Sequence, residues 1–232
     1  LKKFISGNPE HIEALCTLGN CLRELGDFTA AGLILDQALA LDNHSAEAKC
    51  NKALLLLTQG DFEKGLFLYE SRKTIGFPVV SPADPKRAWD GQASLNGKMI
   101  LVIEEQGLGD IIQFARYISL LEIAGANITF QVQKKLHKLL GSLKCNVRLV
   151  HERPLNLDYD FEIALLSLPF LFNTTLKSIP QQLEYLYACP KKIAFWNKKF
   201  SKKFKICICW QGSKSEIDYG RSFPLYYFED LA

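Results

Sequence analysis

Long apolar runs are missing from this 232-residue chain, and with them the roughly 20 residues that a membrane-spanning helix needs. No leader with a basic start, an apolar middle and a small-residue cleavage site opens it, so a cytoplasmic location is expected. An excess of one charge is missing too. With 28 Lys and Arg against 25 Asp and Glu, a formal +3 is too mild to argue for nucleic acid. Histidine is scarce, and His11, His44, His137 and His151 are too scattered to suggest a metal set or a triad. The seven cysteines are odd in number and lack paired spacing, which excludes a disulfide framework. Cys16, Cys21, Cys50, Cys145, Cys189, Cys207 and Cys209 fall mostly in apolar segments and are expected as buried thiols of a reducing compartment. Cys207 and Cys209 would share one face of a strand, with no second pair at a zinc-ligand interval, so no metal site is expected.

What the chain does have is an internal repeat. At a shift of 34 residues, Gly26-Asp27-Phe28 lands on Gly60-Asp61-Phe62, Leu22 on Leu56, Ala31 on Gly65 and Leu35 on Tyr69. A tetratricopeptide repeat needs a helix break, a small residue and bulky groove-filling residues at these positions. The same step puts Pro9 at a closing-proline position and makes "LKKFIS" the tail of an earlier helix. Such repeats either bind a protein partner on a concave face or extend a neighbouring domain.

Three prolines in "IGFPVVSPADP", from Ile75, end the helical texture. Strands are then expected in "MILVIEE", "NITFQV", "VRLVHE", "FEIALLS" and "FKICICWQG", with helices over 110–124, 134–143 and 193–203. The alternation predicts a mostly parallel sheet with helices on both faces and ligands beyond the carboxyl ends of its strands.

Two strand ends carry glycines. After "MILVIEE", Gly107 and Gly109 lead to Asp110 where a helix opens, without the third glycine of a dinucleotide fingerprint. A carboxylate there would cap the free N–H groups and repel a pyrophosphate, so the turn suits a carboxylate better than a phosphate. Asp110 is then either a cap or a general base, with Gln106, Gln113 and Arg116 near enough to orient a polar ligand. The second strand end, "CWQGSKSEIDYGRSFPL", sets Trp210, Gly212, Lys214 and Arg221 in one loop, either a surface loop or one that closes over phosphate groups. Between the two, "KKIAFWNKKFSKKFK" aligns Ile193, Trp196 and Phe200 on one helical face amid lysines. That stripe fits an anionic membrane or, better for a segment between strands, the cover of a sheet.

The run from "RAWDGQASLNGKMILVIEEQGLGDIIQFARYISLL", through "LLSLPFLFNTTLKSIP" and "EYLYACP", to "CICWQGSKSEIDYGRSFPL" resembles bacterial proteins that join tetratricopeptide repeats to a glycosyltransferase family 9-like domain, relatives of the lipopolysaccharide heptosyltransferases. The resemblance spans nearly the whole chain and is strongest at Trp89, Gly91, Gly97, 105–110, 113–116, 166–169 and 210–212. It implies an all-α tetratricopeptide segment over 1–74, a linker over 75–97, and an α/β Rossmann-like acceptor-side domain over 98–204. The start of a second, nucleotide-sugar-binding Rossmann-like domain would occupy 205–232, the two halves together making a GT-B-type transferase. By the same resemblance Asp110 matches the proposed catalytic base, Gln106, Gly107, Gly109, Gln113 and Arg116 lie on the substrate side, and Trp210, Gly212, Lys214 and Arg221 approach the donor phosphates. No metal or cofactor is called for beyond the nucleotide-sugar co-substrate. The acceptor is a glycan, a lipid-linked saccharide or a protein such as flagellin. Ile103-Glu104 departs from the Trp-Gly or similar small pair that such proteins commonly carry. A start at Leu1 and a stop inside "YYFEDLA" suggest a piece of a longer chain, which lacks most of the donor half and is not expected to turn over. The rival expectation is a non-catalytic scaffold, with repeats that hold a partner and a degenerate Rossmann-like domain.

Overall fold

The computed structural model describes residues 1–75, 84–153, 158–181, 184–200, 204–212 and 222–231. They form two compact units, Leu1–Ala188 and Cys189–Ala232. The first unit begins with helices α1 (Lys2–Gly7), α2 (Ile12–Glu24), α3 (Phe28–Leu41), α4 (Ala46–Thr58) and α5 (Phe62–Tyr69). Both α2 and α4, and likewise α3 and α5, start 34 residues apart, because the signals that start and stop them recur at that interval. Gly26 and Gly60, at φ 80° and 84°, end one helix in the left-handed region that glycine enters without Cβ strain. Asp27 and Asp61 then cap the next helix by accepting from the N–H groups of Ala30 and Lys64. The paired helices touch where a side chain is missing: a Cβ on Gly19 would lie 2.6 Å from Leu35 Cγ, and one on Gly65 2.8 Å from Leu57 Cγ. Leu15, Leu35, Ala31, Ala38, Ala48 and Leu55 form the dry interior. Each large aliphatic side chain buried this way contributes about 1.5–3 kcal/mol of transfer free energy.

Tyr69 departs from the expectation that it fills the groove between paired helices as Leu35 does. It packs instead against the core of the sheet that follows. Its ring is half-buried there, and its hydroxyl accepts from Gln106 at the edge of that core.

Four parallel strands follow: β1 (Met99–Ile103), β2 (Asn127–Gln131), β3 (Val147–Val150) and β4 (Phe161–Ala164), in the order β3-β2-β1-β4. The order reverses between β1 and β4, so a ligand crevice is expected beyond their carboxyl ends. The connections carry α6 (Leu108–Phe114), α7 (Ile118–Ile123) and α8 (His137–Leu140), with α9 (Leu168–Leu171) after β4. Ile100, Val102, Ile128, Phe130 and Ile163 point to one face and pack with Ile111, Ile118, Leu121, Leu140 and Leu168 of those helices. Helices α6 to α9 of the first unit all contribute to this packed face. The opposite face carries buried Leu101, Thr129 and Glu162 in register, with Glu162 bound by Arg153 and Tyr159.

The helix expected over 110–124 starts earlier and is broken by a 3-10 turn at Ala115–Tyr117. Ala115, Tyr117 and Ile118 are all buried, so the inward face continues through the break. Trp89, Gly91 and Gly97 shape the approach to β1. Trp89 is buried, donates its ring N–H to Ala93 O at 2.9 Å and meets Phe172 edge-on, while both glycines have positive φ.

The second unit contains α10 (Pro190–Lys199) and a 3-10 segment, Leu225–Leu231. None of the residues of α10 is buried, and Ile193 and Trp196 are about half exposed at 47% and 48%. The strand expected at 204–212 is absent, since no ladder pairs those residues among the described ones. The cysteine expectation fails with it. Cys207 and Cys209 are exposed, as are Cys21 and Cys189, and only Cys16 and Cys50 are buried. A thiol is buried by the contacts of its element, and Cys21 lies on the outer side of α2 while 204–212 lack a sheet. No helix among the described residues is long and apolar enough to cross a membrane.

Candidate functional site

Beyond Ile103 the chain is fastened residue by residue to different elements. Glu104 Oε2 accepts from the N–H of Gln133, past β2, at 3.0 Å. In this way the position that departs from the small pair is spent on tying two strand ends together. Glu105 turns inward and is buried. Its carboxylate takes Arg72 Nε at 3.0 Å, Arg72 Nη2 at 2.7 Å and the Leu166 N–H at 2.8 Å. Arg72 also donates to Glu70 and to Ser167 Oγ, which in turn donates to Glu70, so the network is closed. Burial alone would lower the proton affinity of Arg72, but the bonds and charge of Glu105, followed by those of Glu70, hold the guanidinium above its ordinary range.

Gln106 comes next, with a φ of 63° that a non-glycine residue rarely adopts. Its side-chain amide donates to Tyr69 Oη at 2.6 Å. Tyr69 itself lies over the Arg72 guanidinium, 4.8 Å from the ring centre. Burial pushes the Tyr69 phenol up, the Gln106 bond and Arg72 pull it down, and the charges of Glu105 and Asp110 push it up again, leaving it raised.

Asp110 is the third residue of α6, not its N-cap. Its Oδ2 accepts from the N–H of Gly107, the cap residue, at 3.0 Å, which is the returning half of a capping box whose other half a glycine cannot supply. Asp110 is half-exposed, residues 106–109 before it are exposed, and Oδ1 has no hydrogen-bond partner among the described residues. One oxygen therefore holds the helix start while the other stands at an open rim, able to accept a proton.

Of the remaining sequence candidates, Gly107 and Gly109 line that rim, and a Cβ on Gly109 would meet nothing within 4 Å. Gln113 is exposed and offers its carbonyl to Arg116 Nε at 2.9 Å. Arg116 stacks on Tyr185, 4.8 Å from its centre, and Tyr185 braces α6 through Ile112 O, so both hold the helix. Trp210 and Gly212 belong to the second unit, where Phe223 N donates to Trp210 O and Gly212 N donates to Ser222 Oγ. Lys214 and Arg221 lie outside the described residues.

Sequence reasoning missed Tyr69, Arg72 and Ser167. The available signal was a polar-tipped Tyr at the place where the first repeat has Leu35. Among the histidines, His137 and His151 come within 6.2 Å, but His137 is engaged with Val132 O, and no cluster of three metal-ligating residues occurs among the described ones. A separate groove of about 960 Å³, with Leu39, Leu56, Phe67 and Phe170 among its walls, runs between the repeats and α9.

A tetratricopeptide repeat family model matches residues 12–45. FlbA of Caulobacter vibrioides is 23% identical over 294 aligned residues, which take in all of this chain and 49% of FlbA. The chain thus spans about half the length of the curated relative it matches. A solved mutant O-GlcNAc transferase of Thermobaculum terrenum is 16% identical over 56% of this chain and 32% of its own, at a TM-score of 0.28, a superposition too loose to argue from.

Proposed function

We propose that this chain is the acceptor-side part of a glycosyltransferase, in which Asp110 takes the proton from an acceptor hydroxyl. On this reading 98–204 form the Rossmann-like acceptor half of a GT-B enzyme of the family 9 type, 205–232 begin the donor half, and the protein works in the cytoplasm. The acceptor oxygen attacks the anomeric carbon of a nucleotide sugar, the bond from that carbon to the diphosphate breaks, and the diphosphate leaves with its electron pair. Asp110 keeps the proton. Trp210 and Gly212, with Lys214 and Arg221, would face the donor phosphates.

The observation that supports this reading is the divided carboxylate of Asp110. Its second oxygen has no partner among the described residues and lies past the carboxyl end of β1, beside the reversal point of the strand order. The test uses the longest reading frame that contains this sequence, labelled UDP-, GDP-, ADP- and dTDP-sugars, and cell extract as acceptor. Asp110→Asn should lower the rate of transfer about a thousandfold while leaving donor binding intact. An unchanged rate would reduce Asp110 to a helix cap.

A second reading, a protein-binding scaffold, is favoured by the matched repeat and by the groove beside it, where Phe67 is 64% exposed. Replacing Phe67 with Asp and measuring co-purified proteins separates the two, because a scaffold loses its partner while a transferase keeps its chemistry.

A further inference from the structure

We propose that Tyr69, contributed by the repeat segment, is a ligand-binding residue of the site beyond β1, where its phenol O–H hydrogen-bonds one of two adjacent sugar hydroxyls while the other is presented to Asp110. The inference rests on the acceptor reading above and narrows it to a carbohydrate with neighbouring hydroxyls, as against the lone hydroxyl of a Ser or Thr side chain.

Three contacts aim the phenol. Its ring lies over the Arg72 guanidinium at 4.8 Å, its body packs on the sheet core, and its oxygen accepts from Gln106 Nε2 at 2.6 Å. The third contact decides the chemistry. An amide N–H occupies a lone pair of the phenol oxygen and leaves the phenol's own hydrogen to donate. Among the described residues no acceptor takes that hydrogen. An ordinary phenol is protonated at neutral pH, and burial, with the nearby carboxylates, raises its proton affinity further despite the opposing Gln106 bond and Arg72 charge.

Gln106 also joins the two groups. Its side chain holds Tyr69, and the next residue, Gly107, holds Asp110 Oδ2 through its N–H. The left-handed φ at Gln106 is the backbone cost of presenting both at once. The phenol that Gln106 holds and the carboxylate that Gly107 holds set a donor and an acceptor beside one turn, the complement of two hydroxyls that each donate and accept. The equivalent position of the first repeat is Leu35, which is fully buried and has no polar atom to offer.

The experiment is an amide NMR titration of this chain, read at the Gln106 side chain and the Gly107 backbone. The probes are methyl glucopyranoside, methyl mannopyranoside and methyl galactopyranoside, with N-acetylserine methylamide as the lone-hydroxyl control. At least one glycoside should shift both signals saturably, and the control neither. Tyr69→Phe, which keeps the ring, should weaken that glycoside about tenfold, the loss expected for one hydrogen bond. Gln106→Glu should weaken it equally, since a carboxylate beside the phenol consumes the free hydrogen. Tyr226→Phe, in the second unit, should change nothing. Absence of any glycoside shift, or unchanged affinity in both Tyr69→Phe and Gln106→Glu, overturns the proposal. Its failure is separable from that of the base. Glycoside binding that depends on Tyr69 beside transfer indifferent to Asp110→Asn removes the base and keeps the phenol, and the opposite pattern removes the phenol and keeps the base.

Discussion

Arg72, in the turn that closes the second repeat, grips Glu105, two residues past β1, through two parallel hydrogen bonds of 3.0 and 2.7 Å. Both side chains are nearly sealed from water, at 7% and 4% exposure, and the remaining oxygen and nitrogen positions are met by Leu166, Glu70 and Ser167. The repeats and the strand-end turn are therefore one mechanical piece, and the turn that carries Asp110 is set partly by residues more than thirty positions earlier.

Removing one partner of this pair leaves a charge in a dry place without its counter-charge. Arg72→Ala should lower the unfolding free energy by about 3–5 kcal/mol, and Arg72→Met with Glu105→Leu should recover much of that loss. Urea titrations of the single and double variants measure it. A single-variant loss under about 1 kcal/mol would mean that the pair is not buried in solution.

The cap and the candidate base at Asp110 can be separated by stability. Asp110→Ala should cost about 0.5–1.5 kcal/mol by freeing the Gly107 N–H, whereas Asp110→Asn keeps an oxygen for that bond and should cost much less. Thermal midpoints of the two variants show which holds. A large loss in Asp110→Asn would mean that any fall in transfer reflects unfolding.

Two glycines in helices should respond in opposite ways to alanine. At Gly19 the new Cβ collides with Leu35, whose side chain is fully enclosed, so Gly19→Ala should destabilise by about 1–3 kcal/mol. Gly109→Ala meets no neighbour and improves helix propensity, so stability should hold or rise by up to about 1 kcal/mol. Loss of transfer in a stable Gly109→Ala protein would then report the close approach of a ligand.

Burial pushes the Cys50 thiol up from its ordinary 9.0 to about 11, with Arg72 opposing. Because the folded value is the higher one, the contribution is whole below pH 9 and is lost as pH rises through about 11, where the unfolded thiol has already ionised. Urea midpoints should therefore fall over this window, and less steeply in Cys50→Ala. An equal slope in both proteins would exclude Cys50 as the source. At pH 8 iodoacetamide should spare Cys16 and Cys50 while modifying the exposed Cys21, Cys207 and Cys209.

The repeats were legible because each signal is local. A Gly-Asp pair stops one helix and starts the next, and it does so again 34 residues later. The cores of β1 to β4 were legible through their β-branched runs, and Asp110 through the glycines before it. Legibility failed where a pattern needs a partner to become structure. The 204–212 run has strand composition but no ladder among the described residues, and the apolar stripe of α10 is half exposed.

The chain's own order of residues determined where helices break, which segments extend, and that a carboxylate follows the glycine turn after β1, since caps, φ preferences and side-chain periodicity act over a few residues. Tertiary structure alone decided that Tyr69 and Arg72 serve this turn and not the groove of their own repeat. Their partners Gln106 and Glu105 lie 37 and 33 positions away, and no local periodicity records a hydrogen bond across that distance. A buried guanidinium must find polar partners wherever packing brings it, and here packing brings it, with the half-buried ring of Tyr69 against it, to the strand end.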